Sequence, residues 1–267
     1  MHFYKLFTAG QAYIFVDDIN ELEKTDSVQI RHICDGCKGA GAQGFFGLYQ
    51  NGVKKVQIKA FDKNGAIMND LSSVAVCAAL GAKITNGRSA NEFSDEKGGI
   101  FTYISNISDG NFLVSCDLGK CRNLLKNGIT QRKTELGNRI LTLTAVYTSS
   151  AYAVHFSSCA GSLNRVYLSE KASRLSLFTE KSKLVLCEEE TKNTFRILPL
   201  CENGRDIAPY AGAFAAVGLA ACLTEKSSFS EEISVKYEDY TVYVVCKKDL
   251  SVTVHLSAGI GFQGNIC

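Results

Sequence analysis

The residues best suited to chemistry lie at the start of a predicted helix. Asp70 comes just before Ser72 and Ser73, which open the apolar run Ser72–Leu80. Free N–H groups and a positive end make a helix N-terminus attractive to anions, so these serine hydroxyls could hold an acidic ligand. Serine is equally favoured as a simple N-cap, and a carboxylate is favoured near a helix start without any catalytic role. Both interpretations remain open from the sequence alone.

Cysteine is abundant, with 11 residues, and several cysteines lie inside apolar runs (Cys77, Cys187, Cys222 and Cys246). Buried free cysteines behave as small hydrophobic residues, so we predict that most of them are reduced core residues. Cys34 and Cys37 form a single CxxC motif. A zinc site would need a second ligand pair, and the sequence has no second CxxC and no HxxxH. We therefore predict no metal site.

The histidines do not form a recognisable site. His2, His32 and His255 have no informative spacing, and His155 lies in an alternating segment where a structural or surface role is expected. Neither a Ser-His-Asp pattern nor a phosphate-binding loop is evident. The formal net charge is +2 and the charged residues are scattered, so no basic stripe indicates a nucleic-acid partner.

Nothing in the chain indicates a membrane protein. The N-terminal segment lacks the layout of a signal peptide and becomes acidic by Asp17. The most apolar later stretch, Tyr210–Leu223, has about 14 residues, which suits a buried helix but is too short to cross a bilayer. We expect a cytosolic protein that does not bind membranes.

Most of the elements that position these residues are predicted to be strands. Alternating or β-rich runs occupy Val53–Phe61, Arg139–Val146, Lys183–Cys187, Thr194–Leu200, Ile233–Cys246 and Leu250–Leu256. Two stretches rich in small residues predict buried helices, one over Ser72–Leu80 and continuing to Gly81, the other over Ala211–Leu223.

The two predicted helices form a weak internal repeat. Each follows strands and a turn-rich stretch, at Phe61–Gly65 and Glu202–Asp206. We therefore predict an α+β fold with two pseudo-symmetric lobes, each a curled, mostly antiparallel, barrel-like sheet around a central helix. A boundary within Gly119–Asn127 gives lobes over residues 1–122 and 123–253, and we expect residues 254–267 to pack on the first lobe.

Several short motifs occur in the order found in one family. They are the opening strand Phe3–Asp17 with its Gly10–Tyr13 turn, Cys34-Asp35 with Gly39–Gly44, the Phe61–Gly65 turn, Val114–Gly119, and the closing Phe262–Ile266. Together they resemble the diaminopimelate epimerase superfamily over nearly the whole chain. The resemblance implies a cofactor-independent isomerase fold whose ligand lies in a cleft between the lobes.

The resemblance also implies a mechanism that this chain cannot carry out. These epimerases use two cysteines, one at the start of each central helix, to remove a proton next to a carboxylate and return one from the other face. Their first cysteine position corresponds to Leu71, and the second corresponds to Ala211, or to Ala213 after a two-residue shift. Cys77 lies roughly 9 Å further along the first helix, too far to act as a substitute.

Other positions that the resemblance assigns to the substrate are altered too. Asp62 stands where the family has an asparagine, and Asn203 stands where it has an arginine, so we expect a more acidic cleft. The substrate-binding positions implied by the alignment are Gln11, Ser72, Ser73, Ser149, Glu202, Asn203, Gly212 and Ala213. Asp70 and Asp62 are then the candidate bases, although Asp62 is also a residue type common in turns.

Two functions follow as expectations. The first is isomerisation or proton transfer on a small amino or carboxylic acid, by a carboxylate instead of a thiol. The second is a non-catalytic protein that binds a ligand or serves as partner to an active epimerase-like chain. Either a homodimer or a heteromer with an active homologue is compatible with the sequence, and a two-cysteine epimerase is the least favoured alternative.

Overall fold

The computed structural model describes residues 1–50, 55–87, 90–95, 98–106, 111–125, 129–174 and 182–265. Three segments named in the sequence analysis lie partly outside these residues: the predicted strand Val53–Phe61 at 53–54, the boundary Gly119–Asn127 at 126–127, and the closing motif Phe262–Ile266 at 266. The chain divides into unit 1, which comprises Met1–Asp117 and His255–Cys267, and unit 2, which comprises Leu118–Val254. The domain boundaries expected from the sequence, at 122 and 253, stay predictions.

Before the chain enters unit 2, the described residues of unit 1 form seven strands and three helices. They are β1 (His2–Thr8), β2 (Gln11–Val16), α1 (Ile19–Lys24), α2 (Ser27–Cys34), β3 (Gly44–Gln50), β4 (Lys55–Asp62), α3 (Ser72–Asn86), β5 (Ala90–Asp95), β6 (Gly98–Asn106) and β7 (Asn111–Lys120).

The described residues from Leu118 onwards form the remaining strands and two α-helices. They are β8 (Arg122–Asn123), β9 (Arg132–Leu136), β10 (Arg139–Tyr147), β11 (Ala151–Phe156), a 3₁₀ turn (Ala160–Ser162), α4 (Arg165–Ala172), β12 (Lys183–Thr191), β13 (Thr194–Ile197), β14 (Leu200–Glu202), β15 (Arg205–Ile207), α5 (Ala211–Leu223), β16 (Glu232–Tyr237), β17 (Tyr240–Cys246) and β18 (Ser251–Asn265). The C-terminal part of β18, from His255, belongs to unit 1.

The two units repeat one pairing pattern. In unit 1 the pairs β1–β2, β3–β4 and β5–β6 are antiparallel, and β2–β3 and β4–β5 are parallel. In unit 2 the pairs β10–β11, β12–β13 and β16–β17 are antiparallel, and β11–β12 and β13–β16 are parallel. The same six-strand order therefore occurs twice, and the internal repeat predicted from the sequence is a repeat of this strand order.

One helix serves as the core of each unit. Helix α3 contacts β1 through β6, and α5 contacts the six corresponding strands β10–β13, β16 and β17. Residues 72–82 of α3 and 211–222 of α5 are buried. None of the helices in the described part of the chain has the length and apolar content needed to cross a lipid bilayer.

Small residues allow the strands to approach these helices closely. A Cβ atom added at Gly81 would lie 3.0 Å from the Phe15 ring, and one at Gly218 would lie 2.5 Å from Val244 Cγ1. Such contacts explain why both helices are rich in small residues such as Ala and Gly. The predicted α+β class, with two lobes and a central helix in each, is confirmed.

Two of the predicted strands are interrupted, and the predicted strand Leu250–Leu256 extends to Asn265. Thr194–Leu200 breaks after Ile197, because Pro199 has no N–H group to donate to a strand partner. Ile233–Cys246 is not one run but the hairpin β16–β17, which turns at Glu238 with a φ of 50°. Helix α5 has the predicted bounds, whereas α3 extends beyond Gly81 to Asn86 and ends at Gly87, whose φ is 71°.

Candidate functional site

The start of helix α3 gathers Asp70, Ser72 and Ser73 in the interior of unit 1. The Asp70 carboxylate is 4% exposed, and its Oδ1 accepts hydrogen bonds from Ser72 N at 3.1 Å and Ser72 Oγ at 2.6 Å. The N-cap residue, Leu71, has no side-chain oxygen, so Asp70 supplies this contact from one residue earlier. The arrangement places a buried carboxylate and a hydroxyl together at the positive end of the helix.

Leu71, the position that the sequence resemblance predicts for a first catalytic cysteine, is apolar and buried. Leu71 is 6% exposed, and its carbonyl accepts from Ala75 N at 2.7 Å within the first turn of α3. Cys77, further along the helix, is fully buried, and burial raises the pKa of its thiol above its usual range. A thiol that is buried and protonated does not act as a base at neutral pH.

Gln11 lies at the start of β2 and is nearly inaccessible. Its Oε1 accepts a hydrogen bond of 2.5 Å from the hydroxyl of Tyr13, which is also buried. The next residue, Ala12, donates its N–H to Gln43 Oε1 at 2.7 Å. The Gln43 side chain therefore helps to hold β2 against the chain that leads into β3, whereas the Gln11 side chain makes its contact within β2.

Asp62 stabilises its own turn. Its Oδ1 accepts from Asn64 N at 2.8 Å and from Ala66 N at 2.9 Å, while its backbone N–H donates to Ala66 O at 2.7 Å. Asp and Asn side chains commonly bond to the backbone two residues on in this way. These contacts favour the turn interpretation of Asp62 over a catalytic one.

The start of helix α5 in unit 2 carries no side-chain cap. Tyr210 is the N-cap residue, and the first turn consists of Ala211, Gly212 and Ala213, all buried. Thr148 Oγ1 donates to Gly212 O at 2.9 Å, which ties this turn to the segment containing the half-buried Ser149. Neither alanine at the predicted cysteine position carries a group that can exchange a proton.

A charged cluster lies beside this helix start. Glu202 Oε1 is 3.3 Å from Lys183 Nζ, and Glu202 Oε2 accepts from the Tyr210 hydroxyl at 3.2 Å. The Lys183 ammonium also lies 3.9 Å from the centroid of the Tyr210 ring, within the range of a cation–π contact. The predicted gain of negative charge is offset in this region, because Lys183 places a cation beside Glu202.

Asn203 has a structural explanation. Glu202 pairs with Arg205 in the β14–β15 hairpin, and the two turn residues Asn203 and Gly204 have φ values of 51° and 75°. A two-residue turn with positive φ at both positions strongly prefers Asn-Gly. The residue type at 203 thus meets a backbone requirement.

Lys183 and Tyr210 are the residues whose placement the sequence did not indicate. Comparison of the two repeats could have drawn attention to Lys183. The parallel strands β2 and β3 place Tyr13 opposite Gly44 in unit 1, and β11 and β12 place Tyr152 opposite Lys183 in unit 2. Lys183 is thus the counterpart of a glycine. At Gly44 an added Cβ would lie 2.6 Å from Phe61 O, so unit 1 has no room for a side chain there.

The described residues contain no group of three or more His, Cys, Asp or Glu side chains placed to hold a metal ion. The two cysteines of the CxxC motif differ in environment. Cys34 is buried, and burial raises the pKa of its thiol to about 12, whereas Cys37 is exposed.

No protein-family model matches the chain, and no curated protein matches it. Solved structures, in contrast, align with nearly the whole chain. A predicted epimerase from Pseudomonas aeruginosa aligns with a TM-score of 0.70 at 12% identity, over 99% of this chain and 98% of its own. A hydroxyproline epimerase from Agrobacterium vitis, with bound trans-4-hydroxy-L-proline, aligns with a TM-score of 0.67 at 11% identity, over 100% and 89%.

A phenazine biosynthesis protein of the PhzF family from Bacillus anthracis aligns with a TM-score of 0.63 at 11% identity, over 100% of this chain and 99% of its own. At these identities the likeness shows the fold alone. The chain has the fold shared by the PhzF-like, proline-racemase-like and epimerase-like isomerases, and this likeness does not single out diaminopimelate epimerase.

Proposed function

We propose that this chain is an isomerase-type protein that moves a proton on a small amino or carboxylic acid, with Asp70 as the base. One observation carries the proposal: a buried carboxylate lies at the start of the central helix of unit 1, in contact with the Ser72 hydroxyl. A general base must lie within hydrogen-bond reach of the proton that it removes, and a helix start holds the acid group of such a ligand.

The proposal replaces a thiol mechanism with a carboxylate mechanism. Leu71 and Ala211, or Ala213, cannot exchange protons, so a two-cysteine reaction of the diaminopimelate epimerase type is not supported. The start of α3 at Ser72–Ser73 still provides the N–H groups and the positive helix end that stabilise a developing carbanion next to a carboxylate. The folds of epimerases and racemases named above support this reaction class by analogy.

Asp70 is a stronger candidate than Asp62. Asp70 is buried beside the start of the central helix α3, where the positive helix end favours an acidic ligand, whereas Asp62 is only partly buried and lies in a turn. Within unit 1, Gln11 is proposed to contact the ligand rather than to transfer protons, and the unit 2 positions Ser149, Glu202 and Asn203 stay predictions from the sequence.

A second function is favoured by the same contacts at Asp70. Its Oδ1 accepts from both the N–H and the hydroxyl of Ser72, as expected for a residue that only caps a helix. If Asp70 is structural, the protein binds an acid without converting it, or assists an active epimerase-like partner.

Hydrogen–deuterium exchange distinguishes the two functions. The purified protein is incubated in D₂O with a panel of amino and hydroxy acids, and loss of the proton next to the carboxylate is followed by NMR. We expect exchange with at least one acid and a loss of about 10²-fold or more in the Asp70→Asn variant, which is the usual contribution of a general base. Asparagine keeps an oxygen that can accept from Ser72, so the helix start is preserved.

Two variants serve as references. Asp62→Asn keeps the turn and is expected to exchange at nearly the wild-type rate, and a loss confined to this variant would transfer the role of base to Asp62. Asp17→Asn changes an exposed carboxylate and controls for charge. If the wild-type protein exchanges no acid but shows an acid-dependent rise in melting temperature, the binding function replaces the isomerase.

A further inference from the structure

Two thiols meet inside unit 2, at the end of its central helix. Cys222 lies in the last turn of α5, and Cys246 is the last residue of β17. A hydrogen bond joins their side chains. Gly218 lies one turn before Cys222 on the same face of the helix, and a Cβ atom there would lie 3.5 Å from Cys246 Sγ. The strand thus brings the Cys246 thiol against two successive turns of α5.

Both cysteines are reduced and withdrawn from solvent, since Cys222 is 4% exposed and Cys246 is inaccessible. Cys222 Sγ donates to Ser228 O at 3.6 Å, so its sulfur is the acceptor in the bond with Cys246. That bond lowers the pKa of the Cys222 thiol, whereas the same bond and burial raise the pKa of the Cys246 thiol. The pair therefore consists of one more acidic thiol beside one that keeps its proton.

Residues 224–230 lie against this pair and adopt a strained conformation. Ser230 N donates to Cys246 O at 2.7 Å. Glu225 and Ser230 have φ values of 60° and 69°, in the left-handed region that residues other than glycine disfavour. The Ser227 hydroxyl is buried without a hydrogen-bond partner in the described part of the chain. Both features lower the cost of opening this segment, and its opening gives a small oxidant access to the thiols.

We propose that Cys222 and Cys246 form a redox-sensitive pair that hydrogen peroxide converts to a disulfide. The peroxide oxidises the Cys222 thiol to a sulfenic acid and is itself reduced to one water. The Cys246 sulfur then attacks the sulfenic sulfur, and the hydroxyl leaves with the Cys246 proton as a second water. Two thiols thus lose two electrons and two protons, and the peroxide takes them up. A reducing thiol reverses the reaction by exchange.

Cys222 is better suited to this reaction than other buried cysteines of the chain. Burial raises the pKa of the Cys77 and Cys187 thiols. A protonated thiol reacts slowly with peroxide, because the thiolate is the nucleophile. Cys222 has the lower thiol pKa, and the Cys246 sulfur in contact with it captures the sulfenic acid before further oxidation. We therefore expect oxidation to stop at the disulfide.

The disulfide ties the end of α5 to the end of β17. The hairpin β16–β17 lies in the loop that the bond closes, so the bond restricts the unfolded chain and stabilises the folded protein. We expect the midpoint of thermal unfolding to rise by about 3 °C or more on oxidation and to return on reduction with dithiothreitol. The proposed proton transfer gives no role to either cysteine, so Asp70→Asn is expected to form the disulfide as the wild type does.

The experiment uses the full chain with Cys37→Ser and Cys159→Ser, which removes two exposed thiols that would link molecules to one another. This protein is treated with hydrogen peroxide, denatured in N-ethylmaleimide and digested, and its peptides are identified by mass spectrometry without reduction. We expect a peptide pair that joins Cys222 to Cys246, formed about tenfold or more faster than any oxidation of Cys187. A link from either residue to another cysteine, oxidation of Cys222 without a link, or oxidation of Cys222 no faster than that of Cys187 overturns the proposal.

Variants separate the disulfide from general oxidation. Cys246→Ala is expected to lose both the linked peptide and the rise in the unfolding midpoint, and Cys222→Ser, at the end of the helix, repeats this test if Cys246→Ala folds poorly. Cys187→Ala removes another buried thiol of unit 2 and is the matched control, which keeps both effects. A peroxide-dependent rise of wild-type size in Cys246→Ala or Cys222→Ser overturns the proposal, and so does its absence in the wild type.

Discussion

The Lys183 ammonium lies 3.9 Å from the centroid of the Tyr210 ring, and one carboxylate, Glu202, contacts both side chains. Tyr210 is the N-cap of α5, so the contact places a cation beside the central helix of unit 2. The counterpart of Lys183 in unit 1 is Gly44, where a Cβ would lie 2.6 Å from Phe61 O. Two units with one strand pattern thus differ in charge at equivalent positions.

Tyr210 is expected to contribute to stability through both its hydroxyl and its ring. Tyr210→Phe removes the hydrogen bond to Glu202 and should lower the free energy of unfolding by about 0.5–1.5 kcal/mol. Tyr210→Leu also removes the cation–π contact and should cost roughly 0.5–1 kcal/mol more. Urea denaturation measures both, with Tyr243→Phe at an exposed position as control. Equal stability of the Phe and Leu variants would show that the Lys183 contact contributes nothing.

Gly218 is expected to be required for the packing of α5 against β17. An alanine Cβ there would lie 2.5 Å from Val244 Cγ1, so Gly218→Ala should destabilise the protein by about 1–3 kcal/mol despite the better helix propensity of alanine. Gly161→Ala, whose Cβ would meet nothing closer than 3.7 Å, is the control.

A double-mutant cycle tests the cause of this effect. Val244→Ala removes the methyl group that Gly218→Ala would strike, so the double variant should be more stable than the sum of the single effects predicts, by about 0.5 kcal/mol or more. Strict additivity would mean that the cost of Gly218→Ala arises elsewhere.

The cysteines are expected to differ sharply in reactivity. Cys37 and Cys159 are exposed, whereas Cys77, Cys116 and Cys187 are buried with thiol pKa values raised by burial. Alkylation by iodoacetamide requires an accessible thiolate, so Cys37 and Cys159 should be labelled in the native protein and the other three only after denaturation. Mass spectrometry of peptides from both samples gives the result, and early labelling of Cys77 would contradict its position in the core.

Burial of Cys77 also predicts a pH dependence of stability. The pKa of its thiol is raised in the folded protein above the ordinary value of 9.0, so only the unfolded chain loses this proton as the pH passes 9. The contribution to stability is complete below pH 9 and is lost as the pH rises towards the folded pKa. Between pH 8 and pH 10 this loss amounts to about 1.4 kcal/mol.

The comparison with Cys77→Ala isolates that effect from the titration of other groups. The variant lacks the thiol, so the stability difference between wild type and variant should shrink by about 1.4 kcal/mol between pH 8 and pH 10. A difference that stays constant over this range would mean that the Cys77 thiol ionises equally in the folded and unfolded states.

Much of the fold could be predicted because its helices and strands depend on local sequence patterns. The run of small apolar residues at Ala211–Leu223 is a helix with those bounds, since a run of this length that is rich in alanine and poor in β-branched residues favours a buried helix over a strand. Helix α3 exceeds its predicted end because Lys83–Asn86 continue the helix as far as Gly87. The short helices α1, α2 and α4 escaped prediction because they are short and mostly polar, and packing rather than propensity stabilises them.

The sequence by itself determined the fold class, the two helix starts and the absence of thiols at Leu71 and Ala211, because residue type and periodicity act over a few neighbouring positions. Tertiary structure alone decided which side chains share an environment. Lys183, Glu202 and Tyr210 meet because a parallel strand, a hairpin and a helix start converge, and Asp62 is held by its turn while Asp70 is buried at a helix. Such contacts depend on strand register and on burial between segments distant in sequence, which no local pattern encodes.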